Sequence, residues 1–478
     1  MQYETVIGLE VHTELSTKSK IFCSCTTQFG GEANTHVCPV CAGLPGALPV
    51  LNAEVVERAV RAGLATHCTI TRDNKFDRKN YFYPDLPKAY QISQLYFPIC
   101  TDGYVELASG KRVRLREIHM EEDAGKLTHD PYADASLADY NRCGVPLLEI
   151  VTQPDISCAE EAVETVEKLR AILQYTNVSD GKMQEGSLRA DVNLSVRPKG
   201  SQTLGTRTEM KNINSLRAIA RAIEAEAERQ IDLIESGGAV TQETRRWDDD
   251  AGESYAMRSK EDAQDYKYYP DPDLPPIHIS EADIERIAES MPELPEAKKQ
   301  RYMTELGLPA YDTNLLTSDL ALVRLFEATA KAVSDPPSPA DYKEASNWIL
   351  GEVLRLASET ATLPENFAFS PHSLAKLIRL VKSNTINRNT AKKVFKEVFA
   401  ADTDPEAYVK EHNLAMTTDA DAIRAAVEAV LAANEKSVKE YKSGKAQALQ
   451  YLIGQSMKAL KGKAPAPEVK ALLEALLR

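Results

Sequence analysis

The feature that most limits the possible folds of this chain is an alternation of apolar and ionisable side chains within its first 211 positions. Successive side chains of a strand point to opposite faces of a sheet, so each alternating segment predicts a strand with one apolar and one polar face. The alternation therefore predicts a largely antiparallel sheet, with helices over residues 160–175 and 215–236 packed on its apolar face and a charged, concave floor on the other. The alternating segments are "VIGLEVHTEL", "SLRADVNLSV" and "RTEMK", whose polar positions are Glu10, His12 and Glu14; Arg189, Asp191 and Asn193; and Arg207, Glu209 and Lys211.

Two interpretations of these polar faces are open. Antiparallel sheets often expose one face to water, in which case the charges are only solvated. Mixed His, Glu, Asp and Arg side chains at alternating positions are also what a metal and phosphate site requires. Glu149 favours the second interpretation, because it interrupts the apolar run "VPLLEIV", where an unpaired carboxylate is costly. A structural ion pair with an arginine is the alternative for Glu149.

Two more segments concentrate charge. "HMEEDAGK" holds three successive acids, Glu121, Glu122 and Asp123, and fits a surface turn as well as a site. Basic and aromatic residues interleave in "KFDRKNYFYPDLPKAYQISQ", which includes Lys79 and Lys88. That mixture suits a surface for phosphates and bases, although an ordinary loop with lysine stems lying on apolar surface also produces it.

Four of the eight cysteines lie within "CSCTTQFGGEANTHVCPVC". Four thiolates suit tetrahedral zinc, and such a site has no open position for a reacting water molecule. We therefore predict a structural zinc site, with unliganded thiols or a redox pair as the alternatives. The predicted ligands are Cys23, Cys25, Cys38 and Cys41.

The character of the chain changes near "DYKYYPDPDLPP", a Pro- and Tyr-rich stretch expected to be a linker, beyond which the apolar spacing is helical. We predict three domains, 1–292, 293–402 and 403–478. The net charge is -14, yet nine basic and three acidic residues lie between Lys436 and Arg478. A basic helical tail that binds phosphates is therefore expected, with a solvated helix face as the alternative. Its lysines are Lys436, Lys439, Lys442, Lys445, Lys458, Lys461 and Lys463.

Several sequence patterns are absent from the chain. It contains no GxxxxGK[ST], no GxSxG and no HExxH, so it shows neither a P-loop nor a nucleophile of its own for cleaving amides or esters. It also contains no membrane-length apolar run and begins with a strand-like segment in place of a signal peptide, so the cytoplasm is the expected location.

The order and content of six segments resemble the GatB family, the B subunits of tRNA-dependent amidotransferases. They are "YETVIGLEVHTEL", "FDRKNYFYPDLPKAYQISQ", "HMEEDAGK", "NRCGVPLLEIV", "KMQEGSLRADVN" and "DYKYYPDPDLPP". The resemblance covers essentially the whole chain. It implies an α+β fold: an antiparallel-sheet cradle related to glutamine synthetase, then an all-helical domain and a small helical tail of the YqeY type. It also implies an ATP-dependent kinase and transamidase that acts on misacylated Glu-tRNA(Gln) or Asp-tRNA(Asn).

The resemblance further implies roles for individual residues. Magnesium and kinase residues fall on His12, Glu122 and Glu149, with Glu10 beside His12. Candidates for phosphate or substrate contacts are Lys79 and Lys88, and more weakly Asp191, Glu209 and Lys211. Ammonia is expected from an amidase-type A subunit, a glutaminase, with a small C subunit completing a heterotrimer.

Two other functions remain alternatives. One is a non-catalytic tRNA-binding module of a larger complex, and the other is an ATP-dependent ligase that makes free glutamine.

For the tail, Lys442 and Lys445 in "YKSGK" are the predicted tRNA contacts. The glycine in this segment predicts a bend that could also bring backbone amides near a phosphate.

Overall fold

The computed structural model describes residues 2–130, 132–133, 135–259, 266–416, 420–460 and 463–477. They divide into two compact units, Met1–Pro295 and Glu296–Arg478. The helices of the first unit are α1 (Ala53–Ala65), α2 (Ala159–Tyr175), α3 (Leu216–Glu235) and α4 (Glu281–Glu289). Its strands are β1 (Tyr3–Glu14), β2 (Thr69–Ile70), β3 (Asp73–Asn74), β4 (Asp77–Asn80), β5 (Tyr90–Ser93), β6 (Cys100–Glu106), β7 (Arg112–Glu122), β8 (Lys126–His129), β9 (Ser136–Asp139), β10 (Pro146–Thr152), β11 (Leu188–Pro198), β12 (Thr208–Lys211), β13 (Glu243–Asp248), β14 (Glu253–Ser259), β15 (Tyr269–Pro270) and β16 (Ile277–His278).

One large sheet forms the centre of the first unit. Nine strands follow the order β14-β13-β12-β11-β1-β10-β7-β6-β2. Strands β12 and β13 pair in parallel, and every other pairing described in this sheet is antiparallel. Together with the many helices, this sheet confirms the predicted mixed α+β class.

The apolar face of the sheet is buried as the alternation predicts. Ile7, Leu9 and Val11 of β1 are at most 1% exposed and belong to one hydrophobic core with the alternate residues of β11. Helices α2 and α3 start and end within one residue of the predicted ranges, contact each other and cover this face. Ser215 begins α3, where its side chain accepts a hydrogen bond from the Ala218 amide.

The Pro- and Tyr-rich stretch that was expected to be a linker is part of the first unit, apart from Asp265, which lies outside the described residues. Within it, β15 pairs with β4, and β16 pairs with β3. Arg78 of β4 donates to Asp271 over 2.9 Å. Prolines are tolerated here because these strands are short and belong to small sheets.

The second unit contains helices and no strand among its described residues. A π-helical turn, Ile349–Val353, and a 3-10 turn, Pro364–Asn366, interrupt the series. None of the helices described in either unit is both long and apolar enough to cross a membrane. The helices of the second unit are α5 (Pro295–Thr304), α6 (Ala310–Thr317), α7 (Leu320–Val333), α8 (Pro339–Trp348), α9 (Leu354–Thr360), α10 (Pro371–Lys382), α11 (Arg388–Ala401), α12 (Pro405–Glu411), α13 (Ala420–Ala433), α14 (Glu435–Lys442), α15 (Gln447–Ala459) and α16 (Ala466–Leu477).

Two hydrophobic cores lie within this second unit. Helices up to α12 share one of them, in which Val409 is 4% exposed, and helices α13 to α16 form the other around Val427 and Leu452. The sequence placed α12 in the tail, starting at residue 403. Its packing on the first of these cores favours a tail that begins near residue 420.

Candidate active site

The polar face of the large sheet brings together side chains from β1, β7, β10 and β11. In the strand register His12 lies opposite Glu149 on one side and Arg189 on the other, and Glu149 lies opposite His119. One row across the sheet thus alternates imidazole, carboxylate, imidazole and guanidinium groups. Glu10 lies opposite Asp191 in a parallel row.

The distances within this group are short. His119 Nε2 lies 2.9 Å from Glu149 Oε2, so the partner of the buried glutamate is a histidine and not the arginine considered from the sequence. His12 Nε2 lies 3.7 Å from Asp191 Oδ2, and its Nδ1 lies 3.6 Å from Glu121 Oε1. The polar face is therefore a connected array of imidazoles and carboxylates.

Three sets of three side chains on this face could each hold a metal ion, because their ligand atoms lie within 4.8 Å of one another. Two of the sets share Glu149, and two share Glu10, so the sets overlap along the face. They are Glu10, His12 and Glu149; His119, Glu121 and Glu149; and Glu10, Asp191 and Glu209.

Burial and mutual charge shift the pKa values of these groups. Burial raises the pKa of Glu10, and the nearby carboxylates of Glu149 and Glu209 raise it further. Burial alone would lower the pKa of His12, but its contacts with Asp191 and Glu121 raise it to about 10. A proton on His12 therefore balances part of the negative charge of the carboxylates, and a metal ion bound to His12 would have to displace that proton.

For Glu149, the neighbouring charges lower the pKa and outweigh the effect of burial. Burial alone would raise the pKa of Glu149, but His119, His12 and Lys79 hold it well below its ordinary value. The carboxylate is consequently charged at neutral pH and available to a cation.

Two lysines border this array. Lys79 Nζ lies 5.1 Å from the centre of the Tyr266 ring and 5.8 Å from that of Tyr81, and it forms no ion pair within the described residues. Lys211 Nζ lies 2.6 Å from Asp191 and 2.9 Å from Glu209. Lys79 is therefore the cation left for an incoming anion, whereas Lys211 already neutralises two carboxylates.

The structure does not bring Glu122 into this group. A bulge in β7, opposite Val151 and Thr152, changes which alternate residues of the strand face the core. After the bulge the core-facing residues are Ile118 and Met120. Glu122 continues this core phase, whereas Glu121 points to the polar face, in the place expected for Glu122.

Glu122 instead pairs with Lys88 in the wall of a cavity on the other side of the sheet. A carboxylate oxygen of Glu122 lies 2.7 Å from Lys88 Nζ, and Oε1 accepts a hydrogen bond of 3.0 Å from the Ile92 amide. The cavity has a volume of about 210 Å³, and its wall also includes Cys23 and Cys41. Lys79 and Lys88 lie in one segment of the sequence, but Lys79 borders the polar face and Lys88 borders this cavity.

Two residues of the array were not selected from the sequence as site residues, His119 and Glu121. The available signal was the phase of Ile118 and Met120, since residues alternating with these buried positions must point to the opposite face. A further buried acid, Asp123, lies 3.0 Å from Arg189 and 3.2 Å from Arg142 at the end of the array.

The four cysteines of the N-terminal cluster converge as predicted. Their Sγ atoms lie within 4.8 Å of one another, and Cys38 Sγ is 3.8 Å from Cys41 Sγ. That separation matches an edge of a tetrahedron with Zn–S bonds of about 2.3 Å. A hydrogen bond with Cys23, supported by the Cys38 amide and Lys20, lowers the pKa of Cys41 to about 4.

In the tail, Lys442 and Lys445 are exposed on either side of a glycine bend. Gly444 has φ +94°, its amide donates to Tyr441 O over 2.9 Å, and the Lys445 amide donates to Glu440 O over 3.1 Å. These two bonds form the motif that caps helix C-termini. Both amides thus already donate within the chain, and the lysine side chains are the stronger candidates for contact with a phosphate. Lys461 lies outside the described residues.

Comparisons with known proteins show the family of this chain. The GatB/GatE catalytic domain matches residues 5–285, and a second GatB domain matches residues 324–477. The chain belongs to the GatB/GatE family, which confirms the resemblance and the prediction of an enzyme subunit. The B subunit of the aspartyl/glutamyl-tRNA(Asn/Gln) amidotransferase of Caldicellulosiruptor bescii is 56% identical over 479 residues, covering 99% of this chain and 98% of the relative.

Other relatives are equally similar. The proteins of the same name from Lachnoclostridium phytofermentans and Lachnospira eligens are 56% and 57% identical to this chain, and the matches cover 99% of each relative. The similarity extends over both units.

Proposed function

We propose that this chain is the kinase and transamidase subunit of a tRNA-dependent amidotransferase. It would activate the side-chain carboxylate of Glu-tRNA(Gln), Asp-tRNA(Asn) or both with ATP and then amidate it. The observation that carries this proposal is the convergence of Glu10, His12 and Glu149 on one face of the sheet, in a chain whose relatives are amidotransferase B subunits.

The donor set fits magnesium. Glu10 and Glu149 offer hard carboxylate oxygens, which magnesium prefers. Both His12 Nδ1 and His119 Nδ1 are buried without a hydrogen bond within the described residues. The nearest acid to His12 Nδ1 is Glu121, at the long distance of 3.6 Å, so this face contains polar atoms that a cation could satisfy. We therefore assign the magnesium ligands to Glu10, His12 and Glu149, with Glu121 beside them in the place of Glu122. Magnesium bound there would neutralise charge on the nucleotide phosphates.

The residues around the array position the reactants. A carboxylate is a poor electrophile, so its oxygen first attacks the γ-phosphorus of ATP, and ADP leaves. Ammonia nitrogen then attacks the resulting acyl phosphate at carbon, and inorganic phosphate leaves. Lys79, whose ammonium group lies beside two tyrosine rings that contact each other, would orient the γ-phosphate, and Lys211 would keep Asp191 and Glu209 in place. Such a reaction depends on positioning and charge neutralisation and needs no protein nucleophile.

Ammonia would come from a partner. The chain contains no motif for a hydrolytic nucleophile, which supports an amidase-type A subunit as the glutaminase and a small C subunit in a heterotrimer. The Lys88–Glu122 pair lies on the opposite side of the sheet from His12. We therefore assign Lys88 to the surroundings of this cavity and not to direct contact with the phosphates.

The four cysteines would bind zinc with a structural role. Four thiolates fill a tetrahedral site, so no position is left for substrate or water. The cluster lies in the long connection between β1 and α1 and would hold that connection in one conformation.

The remaining assignments concern architecture and location. We propose that the first unit is a cradle of the glutamine synthetase type, extending to about residue 292, followed by a helical domain and a YqeY-like tail that binds tRNA through Lys442 and Lys445. The predicted bounds of the last two domains are 293–402 and 403–478, and the packing of α12 favours a later start for the tail. The cytoplasm is the proposed location.

One experiment separates this function from its alternatives. The reconstituted complex is incubated with γ-labelled ATP and either Glu-tRNA(Gln), uncharged tRNA or free glutamate. Label released only with charged tRNA supports the kinase. Release with free glutamate would support a ligase that makes glutamine, and no release with any substrate would support a non-catalytic tRNA-binding module.

A further inference from the structure

Lys20 is a fully buried lysine beside the four-cysteine cluster. It is 0% exposed and lies three residues before Cys23. Its Nζ donates to His36 O over 2.8 Å, to Tyr140 O over 3.4 Å and to Cys41 Sγ over 3.6 Å. An ammonium group has three hydrogens, so these three acceptors satisfy it completely.

The charge of Lys20 is not balanced by a carboxylate. Within the described residues it forms no ion pair with Asp or Glu, and two of its three acceptors are neutral carbonyl groups. Burying an unpaired ammonium is costly, so a buried lysine needs an anion close by. Of these three acceptors, Cys41 Sγ is the one that can carry negative charge.

A zinc ion with four thiolates carries a net charge of -2, which would be expensive to place in a partly buried loop. Cys41 is the one buried member of the four ligands, and its sulfur is the one that Lys20 contacts. The cation is therefore placed at the ligand where the negative charge is least exposed to water. The Lys20 main chain reinforces this arrangement, because its amide donates to Cys25 O over 2.9 Å.

We propose that Lys20 is the counter-ion of the four-cysteine metal site. Its role is to compensate the charge of the zinc-bound thiolates through Cys41, and it also connects the metal loop to the segment that leads into β10 through the Tyr140 carbonyl. This inference rests on the zinc assignment made above, but it concerns Lys20 and not the ligands.

The test uses the full-length chain and measures zinc affinity by competition with a chromogenic chelator. Lys20→Met removes the charge and the hydrogen bonds, whereas Lys20→Gln removes the charge and keeps a donor. Partners outside the ligand shell typically change metal affinity by about 10- to 100-fold, and we expect a loss in this range for both variants. Lys18→Met is the matched control, since Lys18 is exposed and two positions away, and its zinc affinity should equal that of the wild type.

A second measurement separates charge from packing. Alkylation of the thiols should release zinc faster from both neutral variants than from the control, because thiolates without the neighbouring cation are more nucleophilic. Unchanged zinc affinity and release rate with a lowered melting temperature would show a packing role and overturn the proposal. Failure of both variants to fold in excess zinc would overturn it as well, since a counter-ion acts through the metal site. Absence of zinc binding in the wild type would instead reject the zinc assignment itself.

Discussion

Two regions of the first unit gather side chains that could hold a metal ion, and they differ in almost every respect. The polar face of the sheet offers carboxylates and imidazoles from strands spread between residues 10 and 211, in overlapping sets that share ligands. The cysteine cluster offers four thiols from 19 consecutive residues in one closed set. Shared ligands and buried imidazole nitrogens that form no hydrogen bond within the described residues suit chemistry, whereas a filled tetrahedron suits architecture. The difference teaches that ligand number alone does not locate an active site.

The largest effect that this comparison predicts is at Glu149. Glu149→Gln keeps the shape of the side chain but removes the charge that faces His12 and His119. We expect tRNA-dependent ADP formation to fall by about 100-fold or more, because an electrostatic contact to the reacting groups is lost. Rates of ADP formation and of tRNA amidation by the reconstituted complex measure this. The partner's glutaminase chemistry should stay competent.

Glu167→Gln provides the control for that substitution, since Glu167 is an exposed carboxylate of α2. It should leave both rates at the wild-type level. A Glu149→Gln complex that amidates tRNA normally would remove the polar face from the mechanism and reverse the comparison.

A pair of neighbouring residues sharpens the boundary of the active face. Glu121→Gln should lower tRNA-dependent ADP formation about 10-fold, because Glu121 lies beside His12 on the polar face. Glu122→Gln should instead cost about 3 kcal/mol of stability, because it leaves Lys88 buried without its carboxylate. Initial rates together with thermal melting distinguish the two.

If Glu122→Gln abolishes ADP formation in a fully stable chain while Glu121→Gln is silent, the ligand implied by the family resemblance is right and the assignment from the strand phase is wrong. The two substitutions thus compare a residue role transferred by similarity with one obtained from the structure.

The two regions also differ in how well the sequence predicted them. The cysteine spacing is local, so Cys23, Cys25, Cys38 and Cys41 could be grouped without knowing the fold. The alternation around His12 predicted the two faces of β1 for the same reason. Strand pairing is not local, and nothing in the amino-acid sequence shows that His12 lies opposite Glu149 on one side and Arg189 on the other.

The placement of Glu122 away from the polar face, which the family resemblance did not indicate, has a physical cause. A bulge in β7 changes which alternate residues face the core, and an error of one position exchanges the two faces of a strand. The Pro- and Tyr-rich stretch was misjudged for a related reason. Its composition excluded helices and central strands correctly, but pairing of β15 with β4 depends on a strand almost 200 residues away.

The cysteine cluster should respond differently from the polar face. Cys38→Ser removes one thiolate, so we expect less than one zinc per chain and a melting temperature several degrees lower, with the rate per folded complex little changed. Metal analysis, thermal melting and ADP formation rates measure these three quantities. Loss of turnover with full zinc content and an unchanged melting curve would show that the cluster takes part in chemistry.

The smallest effect is expected in the tail, where charge and not a built site is proposed to act. Lys442 and Lys445 are exposed, and Lys445 lies 3.7 Å from Glu440, a weak surface pair that a phosphate can replace. Replacing both lysines by glutamine should weaken tRNA binding a few-fold, raise KM for charged tRNA and leave the rate at saturation unchanged.

Salt dependence is the sharper readout for the tail. Binding of tRNA releases counterions from each phosphate that a lysine contacts. When such a contact is lost, the slope of log affinity against log salt should become shallower by about 1 for each lysine that contacts a phosphate. Lys470→Gln in α16 is the matched control, because Lys470 is also exposed and lies in the same tail but on a different helix from Lys442. Like Lys445, it forms only a weak surface pair, 3.8 Å from Glu474 of its own helix. An affinity and slope that stay at wild-type values in the double variant would reject Lys442 and Lys445 as tRNA contacts. A control that flattens the slope equally would show that the whole tail attracts tRNA through its net charge, without specific contacts at the end of α14.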